Sequence, residues 1–251
     1  PSLVSFNVNM NDGAVSLTFS EVVNASSVLS SELTLHATAT GGTFHVITAA
    51  SIVSNIDGTV ITVTMSEDDL NAVKASTTLA VGSASTFLSV TRDAAADMNS
   101  NAVNVVSPTS PMQVTRFTAD ALAADLVSFR LNMSLGDLTV SFSETMNASS
   151  IDGAQVLLQS VVNASTGSAA THQLTGVASS SSTDSTIITI AMLKADVESI
   201  KIQSDLCSSV SNGFISISGL FAEDQAGVAV SPRPHANALA VSSFTVDAVA
   251  P

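Results

Sequence analysis

The chain contains two copies of one sequence pattern, and this duplication limits its fold more than any other feature. Leu3-Val-Ser-Phe6 returns as Leu126-Val-Ser-Phe129, an offset of 123 residues. A later block, Val60 to Met65, matches Ile187 to Met192 at an offset of 127 residues. A repeat carried through the whole chain at nearly constant offset indicates two tandem copies of one domain.

The difference between the two offsets places one net insertion of four residues in the second copy. It falls between the pair His36/Gln159 and the pair His45/His172. In the first copy Gly41-Gly42 predicts a short hairpin turn, because glycine adopts the positive φ angles that such turns require. The second copy has a longer loop at this place, and loop tips tolerate additions of this kind.

Within each copy, short segments rich in Val, Ile, Thr and Phe alternate between apolar and polar residues, as strands with one buried face do. Leu17 and Phe19 show this period of two. One short helix interrupts the strands, with Ser66 as its predicted N-cap. The sequence therefore predicts an all-β fold of two tandem sandwiches, residues 1–123 and 124–251, each with a short helix in one connection.

Two pairs of phenylalanines recur at matching positions, Phe19 with Phe142 and Phe87 with Phe214. Alternation puts each of them on an apolar face of its segment. We therefore expect both pairs to occupy equivalent core positions, and we expect the two halves to have the same fold.

The charge and hydropathy of the chain exclude several classes of function. Seven Lys and Arg against 21 Asp and Glu give a net charge of −14, the wrong sign for binding nucleic acid. A hydrophobic content of 45% is enough for a folded core. No run of eighteen apolar residues occurs, so we expect no membrane insertion. No signal segment opens the chain and Pro251 has the register of Pro1, so we expect a mature, soluble piece of a longer array.

Short motifs recur in the same order in both copies. They are Phe19-Ser-Glu21 and Phe142-Ser-Glu144, then Asp57-Gly-Thr59 and Asp184-Ser-Thr186, then Asp224-Gln-Ala-Gly227, for which the first copy has Asp97-Met-Asn-Ser100 without the glycine. In this order, and with a short helix between them, they resemble the bacterial Ig-like repeats of the S-layer-protein type over nearly all of both copies. The segment Thr-Phe-Ser-Glu-x-x-Asn-Ala-Ser, residues 18–26, also resembles repeats in large surface proteins of algae and other microbial eukaryotes. The resemblance implies Ig-like sandwiches in secreted stalks, adhesins, surface layers or fibres.

Four Asn-x-Ser/Thr sequons occur, at Asn24, Asn132, Asn147 and Asn163. Some sequons arise by chance in a chain so rich in Asn, Ser and Thr. Asn24 and Asn147, however, are the same site in the two copies, directly after a predicted strand, and Asn163 lies in the inserted loop. We therefore expect N-linked glycans at these three sites, with Asn132 at a strand end as the fourth candidate. If the source is bacterial, O-linked sugars on the Ser/Thr-rich loops are the alternative.

Four carboxylates form the one group with metal-binding chemistry. In an Ig-like topology Glu144 and Asp224 lie at the pole where the chain enters the second domain, close to Asp120 and Asp125 of the linker. Calcium prefers six to eight oxygen ligands, so these four residues are a candidate calcium site. The alternative is that they are solvated surface charges, which keep an apolar-rich protein soluble.

Catalytic and zinc chemistry are not indicated by the cysteine and the histidines. Cys207 aligns with Ala80, so we expect a buried, inert thiol. His45 and His172 share a position but stand singly in predicted strands, and no Cys/His cluster has zinc spacing. The chain also lacks a Gly-x-Ser-x-Gly elbow and a Gly-rich phosphate loop. We therefore expect no enzyme activity, and no cofactor beyond the candidate calcium and the glycans.

These features together favour a structural function outside the cell. We expect a repeat segment of a glycosylated fibre, surface layer or cell-surface appendage that self-assembles with identical copies into a filament or sheet. Strand faces and domain ends would supply the contacts. The alternative is an adhesin stalk or a carbohydrate- or calcium-binding module, although the chain has no Trp or Tyr to stack on sugars.

Overall fold

The structure is a computed structural model that describes residues 1–165, 167 and 169–248. Four β-sheets form two sandwiches, so the predicted all-β fold of two sandwich domains is confirmed. The chain divides into two compact units, Pro1–Leu122 and Ala123–Pro251, which are the first and the second repeat below. Pro251, at which we expect a further copy to begin, lies outside the described residues.

Both repeats contain the same succession of strands and one helix. In the first repeat these are β1 (Leu3–Asn9), β2 (Ala14–Val23), β3 (Leu33–Thr38), β4 (Gly41–Val46), β5 (Ile52–Val53), β6 (Gly58–Thr64), α1 (Glu67–Lys74), β7 (Phe87–Val90), β8 (Met112–Gln113) and β9 (Arg116–Thr118). In the second repeat they are β10 (Leu126–Asn132), β11 (Asp137–Met146), β12 (Val156–Gln159), β13 (Thr171–Gln173), β14 (Val177–Ser180), β15 (Ser185–Met192), α2 (Lys194–Ile202), β16 (Phe214–Ile217), β17 (Leu239–Ala240) and β18 (Ser243–Thr245).

Each repeat is a sandwich of a five-stranded and a four-stranded sheet. The strand orders are β5-β6-β2-β1-β9 and β4-β3-β7-β8 in the first repeat, and β14-β15-β11-β10-β18 and β13-β12-β16-β17 in the second. The last strand of each larger sheet runs parallel to its neighbour, with Asn7 opposite Arg116 and Arg130 opposite Ser243. The orders and the registers coincide, so the two repeats have one topology.

Side chains between the two sheets form a separate hydrophobic core in each repeat. Phe19 and Phe142 are buried in these cores, as predicted. Phe87 and Phe214 occupy equivalent positions, as predicted, but neither belongs to the core cluster of its repeat, which contains the residue that follows each of them in its strand. Phe87 is still only 8% exposed on the outer face. Both faces of β7 are covered, so the alternation of its residues does not tell which face meets the core.

The hairpin predicted in the first repeat is formed by β3 and β4. Its turn residues are Ala39 and Thr40, two positions before the expected Gly41-Gly42. The two glycines begin β4 instead, with φ angles of 103° and 71°. A Cβ atom on Gly42 would lie 3.0 Å from Oγ1 of Thr38, so another residue here would have to displace the Thr38 side chain as well as adopt the positive φ angle. In the second repeat a longer loop joins β12 to β13, as predicted.

The predicted helix and its cap are present in the first repeat. Ser66 Oγ accepts a hydrogen bond from the main-chain N–H of Asp69 at 3.2 Å, and α1 buries Val73. The helix α2 follows Leu193 and has no side-chain cap. The two helices contain eight and nine residues, and among the described residues no helix is long and apolar enough to cross a membrane.

Candidate functional site

The glycosylation candidates Asn24 and Asn147 cap matching turns of the two repeats. Each directly follows a ten-residue strand and precedes a single turn of 3₁₀ helix. Oδ1 of Asn24 accepts hydrogen bonds from the main-chain N–H of Ser26 at 3.0 Å and from its hydroxyl at 2.7 Å. Oδ1 of Asn147 accepts the same two bonds from Ser149, at 3.0 and 2.7 Å. The hydroxyl residue of each sequon is therefore held against its asparagine.

An aspartate fixes each of these turns from the neighbouring strand connection. Asp57 accepts a hydrogen bond from the N–H of Ala25 at 2.8 Å, and Asp184 accepts one from Ala148 at 2.9 Å. Both aspartates open the motifs that carry the family resemblance. The recurrence of the asparagines thus has a structural cause that operates with or without sugar. Since Oδ1 holds the turn, Nδ2, the atom that an N-linked glycan would occupy, is not used by it.

The other two sequons lie in different settings. Asn163 is exposed in the inserted loop, where its Oδ1 accepts a hydrogen bond from the N–H of Ser165 at 3.0 Å. Asn132 is half-buried at the end of β10 and accepts bonds from main-chain amides of the following hairpin turn. Asn9, its counterpart in the first repeat, holds the same hairpin without belonging to a sequon. The hairpin alone therefore accounts for Asn132.

The four candidate calcium ligands belong to two different repeats. In the first repeat Asp120 forms an ion pair with Lys74, with Nζ and Oδ2 2.5 Å apart, so a lysine supplies positive charge to this carboxylate. In the second repeat Glu144 and Asp224 are buried, and their carboxylate oxygens lie within 4.8 Å of each other. Asp125 is exposed. Two neighbouring carboxylates offer fewer oxygens than calcium prefers, and calcium binding stays a prediction.

Asp97 of the first repeat corresponds to Asp224 and stabilises the turn that it begins. Its Oδ1 accepts hydrogen bonds from two main-chain amides at 2.8 Å, and its Oδ2 accepts one from the side chain of Asn101 at 2.8 Å. The bonds from Asn101 hold the pKa of Asp97 below its ordinary value. Each turn has a residue with positive φ, Ser100 at 65° and Gly227 at 78°. Asp97 therefore has the role of a turn residue rather than of a metal ligand.

A pair of His and Asp side chains that the sequence analysis missed occurs in each repeat. Nε2 of His45 lies 2.8 Å from Oδ1 of Asp69, and Nε2 of His172 lies 3.0 Å from Oδ1 of Asp196. Each histidine stands on an edge strand of the four-stranded sheet, and each aspartate lies in the first turn of the helix. The sequence could have indicated this pair through the separation of its histidine and aspartate, which is 24 residues in both copies.

Asp69 is a buried carboxylate with an extensive set of donors. It is 1% exposed, and besides His45 it accepts hydrogen bonds from Thr48 N–H and Oγ1, Ser51 Oγ and Ser66 Oγ at 2.8 to 3.0 Å. Burial alone raises the pKa of this carboxyl, but the hydrogen bonds outweigh burial and hold its pKa well below the ordinary value. The side chain thereby joins α1 to β4 and to the segment that follows β4.

Serine hydroxyls near the His–Asp pair of the first repeat bond to the aspartate and not to the histidine. A hydrolase that uses a His–Asp pair needs a nucleophile beside the imidazole. Here the hydroxyls of Ser51 and Ser66 donate to Asp69. Within residues 1–165, 167 and 169–248, no serine hydroxyl or cysteine thiol is hydrogen-bonded to His45 or His172. The geometry supports a structural role for both pairs.

Cys207 is buried and adopts an unusual backbone conformation. Its φ angle is 48°, and Ala80, at the matching position of the first repeat, has a φ angle of 52°. Burial raises the pKa of the thiol to about 12, so the thiolate that would react is suppressed at neutral pH. This geometry agrees with the expectation of a buried, inert thiol.

Part of the outer face of the five-stranded sheet carries the same types of residue in both repeats, and we call this part the hydroxyl face. On its two adjoining strands it consists of Ser16, Thr18, Val60 and Thr62 in the first repeat and of Thr139, Ser141, Ile187 and Thr189 in the second. The Ser16 and Thr62 hydroxyls are 3.3 Å apart, and their counterparts on Thr139 and Thr189 are 3.1 Å apart. Val60 and Ile187 are 53% and 55% exposed. None of these eight residues is charged, but two charged residues border the face in the second repeat: Arg130 lies opposite Thr139, and Asp137 begins the strand that carries Thr139.

A comparison of the sequence with protein-family models and with curated proteins finds no match. The resemblance to bacterial Ig-like repeats therefore stays a prediction. The duplicated sandwich, its paired turns and its repeated hydroxyl face are observed features, and they form the basis for a function.

Proposed function

We propose that this chain is a structural repeat segment of an extracellular, glycosylated fibre, surface layer or cell-surface appendage, which assembles with identical copies through strand faces and domain ends. The observation that carries this proposal is the hydroxyl face, whose eight residues are uncharged in a chain with a net charge of −14, with Arg130 and Asp137 at its border in the second repeat. Charges resist desolvation, whereas hydroxyl and apolar groups are covered at smaller cost. The face is thus a part of an acidic surface that is suited to packing against another copy.

The exposed apolar residues of this face support lateral packing. Val60 and Ile187 stand at matching positions, and each leaves more than half of its surface in water. Scattered exposed apolar residues are ordinary, but matching ones on duplicated faces provide contacts with a regular spacing. Copies packed through them would bury this surface repeatedly along an assembly.

The asparagine turns support the glycosylated, extracellular part of the proposal. Asn24 and Asn147 have the same geometry, and neither turn uses Nδ2. A glycan at each site would leave the protein at the end of a long strand of the larger sheet, and it would restrict which edges of that sheet are open to other copies.

Negative-stain microscopy of native material, together with its intact mass, tests this function. We expect filaments or sheets with a regular repeat and a mass above that of the polypeptide because of attached sugar. Single particles of monomer size with the mass of the bare polypeptide would refute the proposal.

A further inference from the structure

The first and the last strand of each repeat are parallel neighbours in the larger sheet. β9 lies beside β1, with Asn7 opposite Arg116, and β18 lies beside β10, with Arg130 opposite Ser243. In a parallel pair, the start of one strand and the end of the other lie at opposite ends of the pair. Tension applied to the two ends of a repeat therefore pulls these strands past each other in shear, and it acts on the hydrogen bonds between them together.

Main-chain hydrogen bonds extend this pairing beyond both ends of the last strand. Ahead of β9, Thr115 donates its N–H to the carbonyl of Phe6 at 2.8 Å, and at the end of β9 the carbonyl of Thr118 accepts from the N–H of Met10 at 2.9 Å. The second repeat makes both bonds at the same distances with the corresponding residues, from Ser242 to Phe129 and from Met133 to Thr245. The pair is thus bonded at each of its ends in both repeats.

The chain that follows the last strand has two further attachments. We call residues 115–121 and 242–248 the exit segments. In the first repeat, Oδ2 of Asp120 lies 2.5 Å from Nζ of Lys74, the last residue of α1. The next residue, Ala121, donates its N–H to Oδ1 of Asn11, in the turn between β1 and β2, at 2.9 Å. The exit segment is therefore tied to the helix and to the first hairpin as well as to β1.

The second repeat has the same two attachments at the matching positions. Asp247 forms an ion pair with Lys201 of α2 at 2.7 Å, and Ala248 donates its N–H to Oγ of Ser134 at 2.9 Å. The two ion pairs differ in exposure: the side chains are 8% and 6% exposed in the first repeat and 35% and 32% exposed in the second. The second repeat has one more bond between the strands, because Oγ of Ser242 donates to the carbonyl of Phe129 at 2.6 Å.

We propose that each repeat is a tension-bearing unit, in which the exit segment is clamped to the first strand, to the first hairpin and to the helix. Force along the chain then has to break these contacts together, and the rate of unfolding under force is set by that barrier. This inference rests on the proposed function, since a fibre or an appendage transmits tension along its chains. It assigns to the single chain a mechanical role that needs no contact between copies.

Single-molecule force spectroscopy of the whole chain, held by its two ends, tests the clamp. Each repeat should unfold in one step that releases roughly 40 nm of chain. The variant S242A/D247N removes the hydroxyl bond and the ion pair from the exit segment of the second repeat. We expect the unfolding rate of this repeat under force to rise about tenfold or more. The first repeat of the same molecule should unfold as before and serves as an internal reference.

The control S242T/D205N changes one hydroxyl residue and one carboxylate without loosening the clamp. Threonine is the residue that the first repeat has at this position, Thr115, and Asp205 is exposed outside the exit segment. This control should unfold under force as the wild type does. A second control, I188V, removes a buried methyl group from β15. It should lower the urea midpoint of the second repeat but change its unfolding rate under force much less than S242A/D247N does.

The variant N11A tests the clamp of the first repeat, because it removes the acceptor of the Ala121 N–H. It should speed the unfolding of that repeat alone, and it decides the outcome if S242A/D247N does not fold by circular dichroism. Wild-type rates under force in both clamp variants would overturn the clamp, as would wild-type repeats that unfold through many short steps. Either result leaves the proposed assembly standing, because single chains are measured. A chain that never assembles would conversely leave the clamp standing.

Discussion

His45 and Asp69 are 24 residues apart in the chain, yet Nε2 and Oδ1 of their side chains lie 2.8 Å apart and tie the edge of one sheet to the start of a helix. His172 and Asp196 repeat this contact at 3.0 Å. The two pairs differ in their surroundings, since Asp69 accepts bonds from two further serine hydroxyls. We therefore expect the stability of the first repeat to depend more strongly on its aspartate than that of the second.

The substitution D69N should destabilise the first repeat by about 3 kcal/mol, because an amide leaves several buried donors without their charged acceptor. D196N should cost less, since Asp196 bonds to fewer donor groups, on His172 and Thr175. Urea unfolding followed by far-UV circular dichroism measures both. D68N is the matched control, because Asp68 is the exposed neighbour in the same helical turn. Equal losses for D68N and D69N would contradict the account.

The first repeat should also lose stability in acid. The pKa of Asp69 in the folded chain is held below its ordinary value of 3.8, so the folded state favours the ionised form. This contribution is fully present above the unfolded pKa and is lost as the pH falls below it toward the folded pKa. Urea midpoints measured between about pH 2 and pH 7 should show a fall below pH 4 that is smaller in D69N. An equal fall in both proteins would show that other groups cause it.

Cys207 should not react with a thiol reagent in the native protein at neutral pH. Burial and the raised pKa of about 12 suppress the thiolate, and full reaction should appear only on unfolding. C207A should change the free energy of unfolding by about 1 kcal/mol or less, because Ala80 fills the matching position. Rapid labelling of the native protein by Ellman's reagent would refute this description of the thiol.

Glycopeptide mass spectrometry of native material should find sugar at Asn24 and Asn147, and also at Asn163. The variant S26A removes the sequon hydroxyl and should leave Asn24 bare, whereas S26T keeps a hydroxyl and should keep the glycan. Stability measurements separate the two roles of the residue, since S26A also loses the 2.7 Å hydrogen bond to Asn24. Bare asparagines at all three sites would remove glycosylation from the proposal.

Sequence patterns predict the parts of this fold that depend on neighbouring residues. The period of two in β2 places Leu17 and Phe19 in the core, and Ser66 caps α1 as its spacing indicates. The burial of Phe87 on the outer face was not predictable in this way, because its neighbours across the sheet, His36 and Gln113, are distant in the chain. The turn of the first hairpin lies two residues before the predicted position. Gly41 and Gly42 belong to the irregular start of β4, where the register of the pairing shifts, and not to the turn itself.

The candidate sites show the same division between local and distant relationships. The Asn24 turn involves residues two positions apart and follows from the sequon itself. The His45–Asp69 pair involves residues that only the fold brings together. Comparison of the two copies is the available signal for it, because the pair recurs with one spacing.

Sedimentation velocity of native, full-length protein at physiological salt, with and without calcium, tests the central claim most directly. We expect large, rapidly sedimenting assemblies in both conditions. They should persist in about 1 M salt, because contacts through hydroxyl and apolar groups are screened far less than ion pairs. A monodisperse monomer in all of these solutions would contradict self-assembly.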